Sequence, residues 1–461
     1  MKTVLSSKFS WVNTSSPSYE EAIDSIMDER GPDIVTVLGP GGSGKSILYQ
    51  IAYSDYNGFV LPLASTGGAT SALIEHGIPA MTIHAALKLK PKQWYEFERK
   101  NIYSAKILAG ADLVLIDEVS MVSSNFLDLI LQLIGMANRM RRKRNKSSIR
   151  LVLFGDLMQL PPVIDSDNED LIKLYEKNYA GYFFFNALRY QSSNRKTIEL
   201  YNVYRQRDQR LINILNSVRF ASVTDSDIRY LNSRVIDIEE FKRKHPEHMY
   251  LCATNGQVNI LNEQYLKKFK GCESRTYTTE YKGEAKKEDF PFLPEVQTFY
   301  IGEVVMCLKN GEEYKNGTIG TVVDFDKKNG PVIKSGDKTF TVGEAIWEKT
   351  KLTISKEGKL KQEVIGKVKA IACKVSYAST FHKAQGLSLD SAILDFKGWL
   401  APSSVYLGLS RVRTIDGLCL AHPLTKNLIR INPEALRFFS EEDHDEVLFS
   451  NEQKGQQLTL F

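Results

Sequence analysis

GPGGSGKS, Gly39 to Ser46, stands directly behind the unbroken apolar run Ile34, Val35, Thr36, Val37 and Leu38, and this junction decides the fold. A short β-branched run feeds a Gly-rich turn, and the turn opens onto a helical run from Ile47 to Ala52. The glycines Gly39, Gly41, Gly42 and Gly44, with Ser43 among them, let successive backbone N–H groups face one concavity. The helix N-terminus adds partial positive charge, so the loop suits a phosphate. Lys45 is placed to reach the β- and γ-phosphates of a nucleoside triphosphate, and Ser46 to offer its hydroxyl to Mg²⁺. A helix that merely starts after a Gly-rich turn is the alternative, and it leaves the spacing, the Lys and the Ser without a reason.

The chain of 461 residues is long enough for two or more domains with full cores. Hydrophobic content of 43% and charged content of 25% are those of a soluble globular protein, and a net charge of +5 permits a nucleic-acid partner without demanding one. Cys252, Cys272, Cys307, Cys373 and Cys419 are scattered without a C-x-x-C pair, which excludes a zinc site of that kind and argues for reduced thiols. No apolar run has the length of a signal peptide core or of a membrane span, so the expectation is a cytoplasmic, nucleoid-associated protein.

Upstream of the loop, residues 13 to 30 read as a capped helix with Ala22, Ile23, Ile26 and Met27 on one face. Downstream, FVLPLAS (Phe59 to Ser65) is a second buried strand, and TGGATSALI a turn and a helix. MTIHAAL follows, and then a polar and aromatic stretch, about 88 to 106, that reads as a small insertion. LVLIDEVSMV (Leu113 to Val122) is a third strand ending in Asp117 and Glu118, the place where a nucleotide-bound Mg²⁺ needs a carboxylate and a water needs a base. LVLFGD (Leu151 to Asp156) is a fourth. Strand, loop, helix and strand-end Asp-Glu predict a doubly wound parallel α/β sheet with ligands at the carboxyl ends of its strands. The cations Arg139, Arg141, Arg142, Lys143, Arg144 and Lys146 read as a solvated helix end in preference to a nucleic-acid contact.

The second half repeats this rhythm without a second phosphate loop: MYLCAT (Met249 to Thr254), KVSYAS (Lys374 to Ser379), SAILDF (Ser391 to Phe396) and GLCLAH (Gly417 to His422) are strand-like. Between them, from about 298 to 372, alternating strands and Gly-rich polar turns predict an inserted antiparallel barrel.

GPGGSGKS, LPLASTGGAT, MTIHAAL, LVLIDEVSMV, FGDLMQLPPV, NVYRQRD, LCATN, ASTFHKAQGLSLD and VYLGLSRVR occur in that order, and from about Ile34 to Leu420 the chain resembles superfamily 1 DNA helicases of the 5′-to-3′ branch, the Pif-like, RecD-like and phage Dda-like group. The resemblance implies two RecA-like doubly wound parallel-sheet domains, 1–200 and 201–440, the first with a pin-like insertion at 88–106 and the second with an SH3-like β-barrel at 298–372. It implies ATP and Mg²⁺ as cofactors. Lys45 and Ser46 would hold phosphates and metal, Asp117 would complete the metal site, and Glu118 would activate water. Gln159 would sense the γ-phosphate, Arg205 and Arg411 would be arginine fingers from the second domain, and Gln385 and Gly386 would line the cleft. Thr66, His84, Thr254, Asn255, Thr380, His382 and Lys383 match positions that touch single-stranded DNA, largely through phosphates, which fix register without reading sequence. Expected partners are single-stranded DNA and forked duplex, with RNA–DNA hybrids and G-quadruplexes open, acted on by a monomer. The rivals are a translocase that strips proteins from DNA without unwinding and a scaffold with an inactive ATPase fold; intact Lys45, Asp117, Glu118, Gln159, Arg205 and Arg411 argue against the scaffold.

One departure concerns the base. Such helicases carry a Gln ahead of the phosphate loop to read adenine, and here Tyr19, Glu20 and Glu21 stand in its place. In the 88–106 stretch, Trp94, Tyr95 and Phe97 are either strand-separating wedges or a small local core. Relatives that move 3′-to-5′ carry two large insertions, and 461 residues leave room only for small ones, which supports 5′-to-3′ travel. After an acidic stretch, 441–461, the chain closes with QLTLF, whose Gln457, Leu458, Leu460 and Phe461 resemble a bacterial sliding-clamp-binding peptide. Packing of these apolar residues back onto the second core is the alternative.

Overall fold

In the computed structural model, residues 16–206, 208–244, 248–290, 292–326, 329–354, 360–385, 389–398 and 400–440 are described. The apolar run before the phosphate loop forms β1 (Ile34–Leu38), buried along its whole length. A strand covered on both faces needs no polar alternation, which is why its sequence reads as a continuous apolar block. With β2 (Val60–Ala64), β3 (Met81–Thr82), β4 (Leu113–Asp117), β5 (Arg150–Gly155) and β6 (Arg195–Glu199) it forms a six-stranded parallel sheet in the order β3-β2-β4-β5-β1-β6. Helices α1 (Pro17–Met27) and α2 (Lys45–Asp55) lie on one face, sealed by Ala22, Ile26, Ile51, Val35 and Val37. Helix α3 (Gly67–Glu75) joins them through Leu73, and on the other face lie α4 (Ile83–Leu87), α5 (Ile102–Leu108) and α6 (Ser124–Arg142).

A second parallel sheet holds β7 (Met249–Cys252), β8 (Ala378–Thr380), β9 (Ala392–Leu394) and β10 (Leu418–Leu420) in the order β8-β7-β9-β10. The two cores are not independent. One apolar cluster runs from Leu153 and Ile116 under the first sheet, through Leu211 and Val218 of α7 (Gln209–Arg219), to Leu407 and Leu394 of the second. At its far side α10 (Pro433–Ser440) returns to the first core, where the Glu434 carboxylate accepts from Tyr182 N at 3.1 Å and Phe183 N at 2.9 Å. Labels α8 and α9 belong to Asn255–Leu266 and Ser404–Leu409, both in the second core.

The inserted antiparallel structure begins earlier than the sequence suggested, with Ser274–Thr278 and Glu280–Gly283, and ends with Cys373–Val375. Its main sheet is open in order, with Lys338–Thr341 and Cys373–Val375 at the edges, and two smaller sheets flank it. KVSYAS, expected as one strand, is split. Cys373–Val375 pairs with Val304–Cys307 inside the insertion, and the chain then crosses at Ser376 and Tyr377 so that Ala378–Thr380 joins β7. A three-residue strand on either side of a crossover looks, in one dimension, like a single apolar run.

In the 88–106 stretch, Ile102 to Leu108 turns out to be α5, packed on α6 with Ala105, Ile107 and Leu108 buried. Tyr95 stacks on Phe126 with centroids 4.3 Å apart, and Trp94 meets Tyr175 edge-on at 5.1 Å, so both belong to a local core; Phe97 stays exposed. At the end of α6, Arg139, Arg142, Lys143, Arg144 and Lys146 are exposed, as a solvated helix end requires. Arg141 departs from that expectation. It is buried, paired with Asp112 at 2.6 Å and bonded to the Ala109, Ala111 and Ser147 carbonyls. Among the described residues no helix is long and apolar enough to cross a membrane, and all five cysteines are free, four of them buried.

Where the insertion meets the second core, Glu303 is fully buried; its Oε2 accepts from Tyr300 N at 3.1 Å and its Oε1 has no partner. Burial pushes this carboxyl up to about 7. The folded protein therefore keeps a proton that the unfolded chain releases near 4.5, and stability falls as pH rises between these values and is level above about 7. Glu303→Gln is expected to remove this dependence and to raise stability at pH 8 by about 2–3 kcal/mol. Melting temperatures from pH 5 to 8 check it, and identical pH dependence in parent and variant would contradict it.

Candidate active site and nucleic-acid track

The loop between β1 and α2 is shaped by two left-handed glycines, Gly42 at φ 88° and Gly44 at φ 89°. At Gly42 a Cβ would also lie 2.5 Å from the Arg205 Cβ, so conformation and contact both demand glycine there. Lys45 folds its ammonium onto its own loop, donating to Gly39 O at 2.6 Å and Pro40 O at 2.8 Å. Desolvation lowers its pKa, against the pull of Asp156, Glu118 and Asp117. Ser43 and Gly44 are buried, while Ser46 is exposed at the first turn of α2.

Beside the loop, β4 delivers Asp117 and then Glu118, whose left-handed backbone (φ 53°, ψ 47°) is unusual for a residue with a side chain. The Glu118 carbonyl is held by Ser65 Oγ at 2.8 Å, and Asp117 Oδ1 accepts from Glu118 N at 2.9 Å. Burial, followed by the adjacent Glu118, raises Asp117 to about 7. Burial likewise raises Glu118, opposed by Lys45 and Arg411 and by a hydrogen bond from Gln385. Two carboxylates crowded at a strand end repel one another, which a divalent cation would relieve, and Ser46 carries an exposed hydroxyl on the first turn of α2, so the oxygen chemistry of Asp117 and Ser46 fits Mg²⁺.

The remaining predicted residues meet at Gly41. A Cβ there would lie 3.6 Å from Gln159 Nε2, 3.7 Å from Arg205 Nη1 and 3.7 Å from Arg411 Nη2. Gln159 comes from the first core and Arg411 from the second. Arg205 sits on the segment joining them, which also ties back to the loop through Tyr204 N to Gly42 O at 2.8 Å. Gln385 donates to Gln159 Oε1 at 3.5 Å. Gly386 lies outside the described residues. Desolvation, and then the neighbouring Arg411, brings Arg205 down to about 9, and burial lowers Arg411 as well. Two guanidiniums sharing a desolvated place disfavour one another and become favourable beside a multiply charged anion.

Sequence reasoning missed the support behind these groups. Tyr406 on α9 accepts from Gly41 N at 3.2 Å and donates to Asp156 Oδ2 at 2.9 Å, joining loop, first sheet and second core through one hydroxyl. Asp156 also accepts from Gln159 Nε2 at 3.1 Å and from Arg219 Nε at 3.4 Å, and Arg219 reaches Glu199 at 3.1 Å. Asp156 and Tyr406 lie inside quoted motifs, but nothing in the spacing of Glu199 and Arg219 links them to the rest. As for the base, Tyr19 is buried behind the loop with its hydroxyl on Gly44 O at 3.2 Å, and Glu21 pairs with Lys196 at 2.7 Å, while Glu20 is exposed.

The predicted strand-contact residues gather at the carboxyl ends of both sheets, in matching local form. Thr66 ends the turn after β2 and caps α3, accepting from Ala69 N; Thr254 follows β7 and caps α8, accepting from Gln257 N. In each case the first helical turn carries exposed glycine, Gly67 and Gly68 or Gly256, so free N–H groups and the helix dipole are open to a phosphate. Asn255, His382 and Lys383 are exposed nearby, and Thr380 accepts from Lys383 N at 3.2 Å. His84 already has partners within the protein. Its Nε2 is engaged by the Tyr95 hydroxyl at 2.6 Å, its ring stacks on Phe126 at 4.8 Å, and burial lowers its pKa, so a neutral ring lines a groove with Val122, Pro162 and Val163. The C-terminal residues Gln457, Leu458, Leu460 and Phe461 lie outside the described residues.

Comparison with known proteins finds similarity to Pif1 helicases. Residues 13–228 match the model of the PIF1-like helicases. A Campylobacter jejuni protein named ATP-dependent DNA helicase Pif1 is 24% identical over 89% of this chain and 95% of its own. Among solved structures, Bacteroides sp. Pif1 in complex with ADP-AlF4 superposes with a TM-score of 0.78 at 25% identity, covering 92% of this chain and 96% of that one. A Bacteroides Pif1 complex with ADP-AlF3 and single-stranded DNA gives 0.62 at 25% identity, with coverage of 92% and 96%.

Proposed function

We propose, for a chain that belongs to the PIF1-like helicases of superfamily 1, that hydrolysis of ATP between its two parallel-sheet cores drives it 5′-to-3′ along single-stranded DNA and separates the duplex ahead. It is an ATP-dependent DNA helicase, as its relatives are by name. The observation that supports this mechanism best is the convergence of Gln159, Arg205, Arg411 and Tyr406 on Gly41 of the phosphate loop.

In this reading the amides of Gly41 to Ser46 and the Lys45 ammonium cradle the phosphates. Ser46 and Asp117 would hold Mg²⁺, which would supply positive charge against the phosphates. Glu118, made more basic by burial against the opposing pull of Lys45 and Arg411 and aimed by its left-handed backbone, takes the proton of the attacking water. Arg205 and Arg411 meet the charge that builds on the transferred phosphoryl group, and Gln159 reports its departure. Because these groups belong to different cores, bond cleavage changes how the cores close, and the capped turns at Thr66 and Thr254 then regrip the phosphates in alternation. Contacts to phosphates carry no sequence preference.

The short insertions support 5′-to-3′ travel. Duplexes with a single overhang test it: unwinding is expected from a 5′ overhang and not from a 3′ overhang, and unwinding from the 3′ overhang alone would overturn the polarity. Movement along the strand without duplex separation would support a protein-stripping translocase instead. For the tail, the resemblance of QLTLF to clamp-binding peptides supports docking on a bacterial sliding clamp with Leu460 and Phe461 as anchors. Removal of residues 457–461 is expected to abolish capture by the clamp in a pull-down, and unchanged capture would exclude that role.

A further inference from the structure

Gln206 is 3% exposed and follows Arg205 directly. Its Nε2 donates to Val412 O at 3.1 Å and to Ser410 O at 3.4 Å, the two carbonyls on either side of Arg411. The Arg411 carbonyl between them accepts from Leu389 N at 2.9 Å. Arg205 Nη1 shares Ser410 O at 3.3 Å. The Arg411 side chain is fixed in turn, Nε to Leu407 O at 3.1 Å and Nη2 to Ser410 Oγ at 3.1 Å. Three successive carbonyls at 410, 411 and 412 are therefore occupied, two of them by one amide that belongs to the segment carrying the other arginine.

We infer that Gln206 is a positioning residue that locks Arg205 and Arg411 into one unit, so that both guanidiniums reach the phosphate loop together. The inference rests on the finger role given to Arg411 above. The chemistry of the position is narrow. A side chain with two N–H donors and enough length can span carbonyls two residues apart, whereas Asn is one methylene short, Glu would face carbonyl oxygens with negative charge, and an apolar chain offers no donor. The Oε1 of Gln206 is buried without a hydrogen-bond partner, a cost accepted for what the other end of the amide does. Gln206 lies behind the fingers, and its influence passes through Arg411. Positioning of groups that act on developing charge shows in kcat and leaves substrate binding largely intact.

The test is ATP hydrolysis by the full-length protein at saturating single-stranded DNA for Gln206→Met, Arg411→Ala and the double variant, with rates normalised to the folded fraction from thermal melts. Gln206→Met is expected to lower kcat about tenfold or more with KM for ATP within about threefold, and to cost less than about twofold when added to Arg411→Ala. An unchanged kcat, or effects of the two substitutions that multiply, would overturn the inference. If Arg411→Ala alone kept the parent rate, the finger assignment would be at fault and the coupling inferred from it would fall as well. A variant that loses kcat only in proportion to its unfolded fraction would show Gln206 to be packing alone.

Discussion

Glu118→Gln is expected to reduce kcat for DNA-stimulated ATP hydrolysis by about three orders of magnitude while ATP binding changes by no more than a few-fold. The amide keeps the size of the carboxyl and can keep the contact with Gln385, but it cannot accept a proton from water. Glu118 occupies a left-handed backbone position at the end of β4, a conformation that costs about 1 kcal/mol and that nothing in a bare strand end requires. Its carbonyl is fixed by Ser65, and its carboxyl is raised by burial yet balanced by Lys45 and Arg411. Steady-state hydrolysis together with binding of a fluorescent ATP analogue measures both quantities. A loss below about tenfold in kcat would remove Glu118 from the base role.

Arg411→Ala and Arg205→Ala are each expected to lower kcat by about 10²–10³ with a smaller change in KM. Both guanidiniums stand within reach of Gly41, both are desolvated, and each makes the other less comfortable until negative charge arrives. Their effect should therefore be largest where charge is largest, in the transition state. Lysine at either position is expected not to rescue, because one ammonium cannot reproduce a planar set of donors. The same hydrolysis measurements, extended to the lysine variants, decide this, and recovery to within about threefold by Arg411→Lys would count against it.

Much of this site was legible in the chain because its chemistry is local. The phosphate loop, the strand-end Asp117-Glu118 pair and the capped turns at Thr66 and Thr254 are each one strand end plus a few residues, so spacing alone defines them. What stayed hidden depends on three-dimensional return. The contact of Glu199 and Asp156 with Arg219 joins residues 20 and 63 positions apart, and Tyr406 meets Gly41 across 365. No periodicity reports such pairings. Trp94 and Tyr95 were ambiguous for a related reason: whether an aromatic is a wedge or a core residue depends on Tyr175 and Phe126 arriving from elsewhere. His84 was read as a strand contact from its motif alone, and its hydrogen bond with the Tyr95 hydroxyl is a pairing that only the folded chain supplies. The insertion's early start escaped notice since Ser274–Thr278 alternates exposed and half-buried residues and carries almost no apolar signal.

The central claim is that the catalytic groups are split between two cores that also hold the strand, which makes hydrolysis answer to the track. The most direct measurement is kcat for ATP hydrolysis with and without saturating single-stranded DNA. A rise of about tenfold or more on adding the strand is predicted, lost in Lys45→Ala. Equal rates with and without DNA, in a protein shown to bind it, would contradict the account.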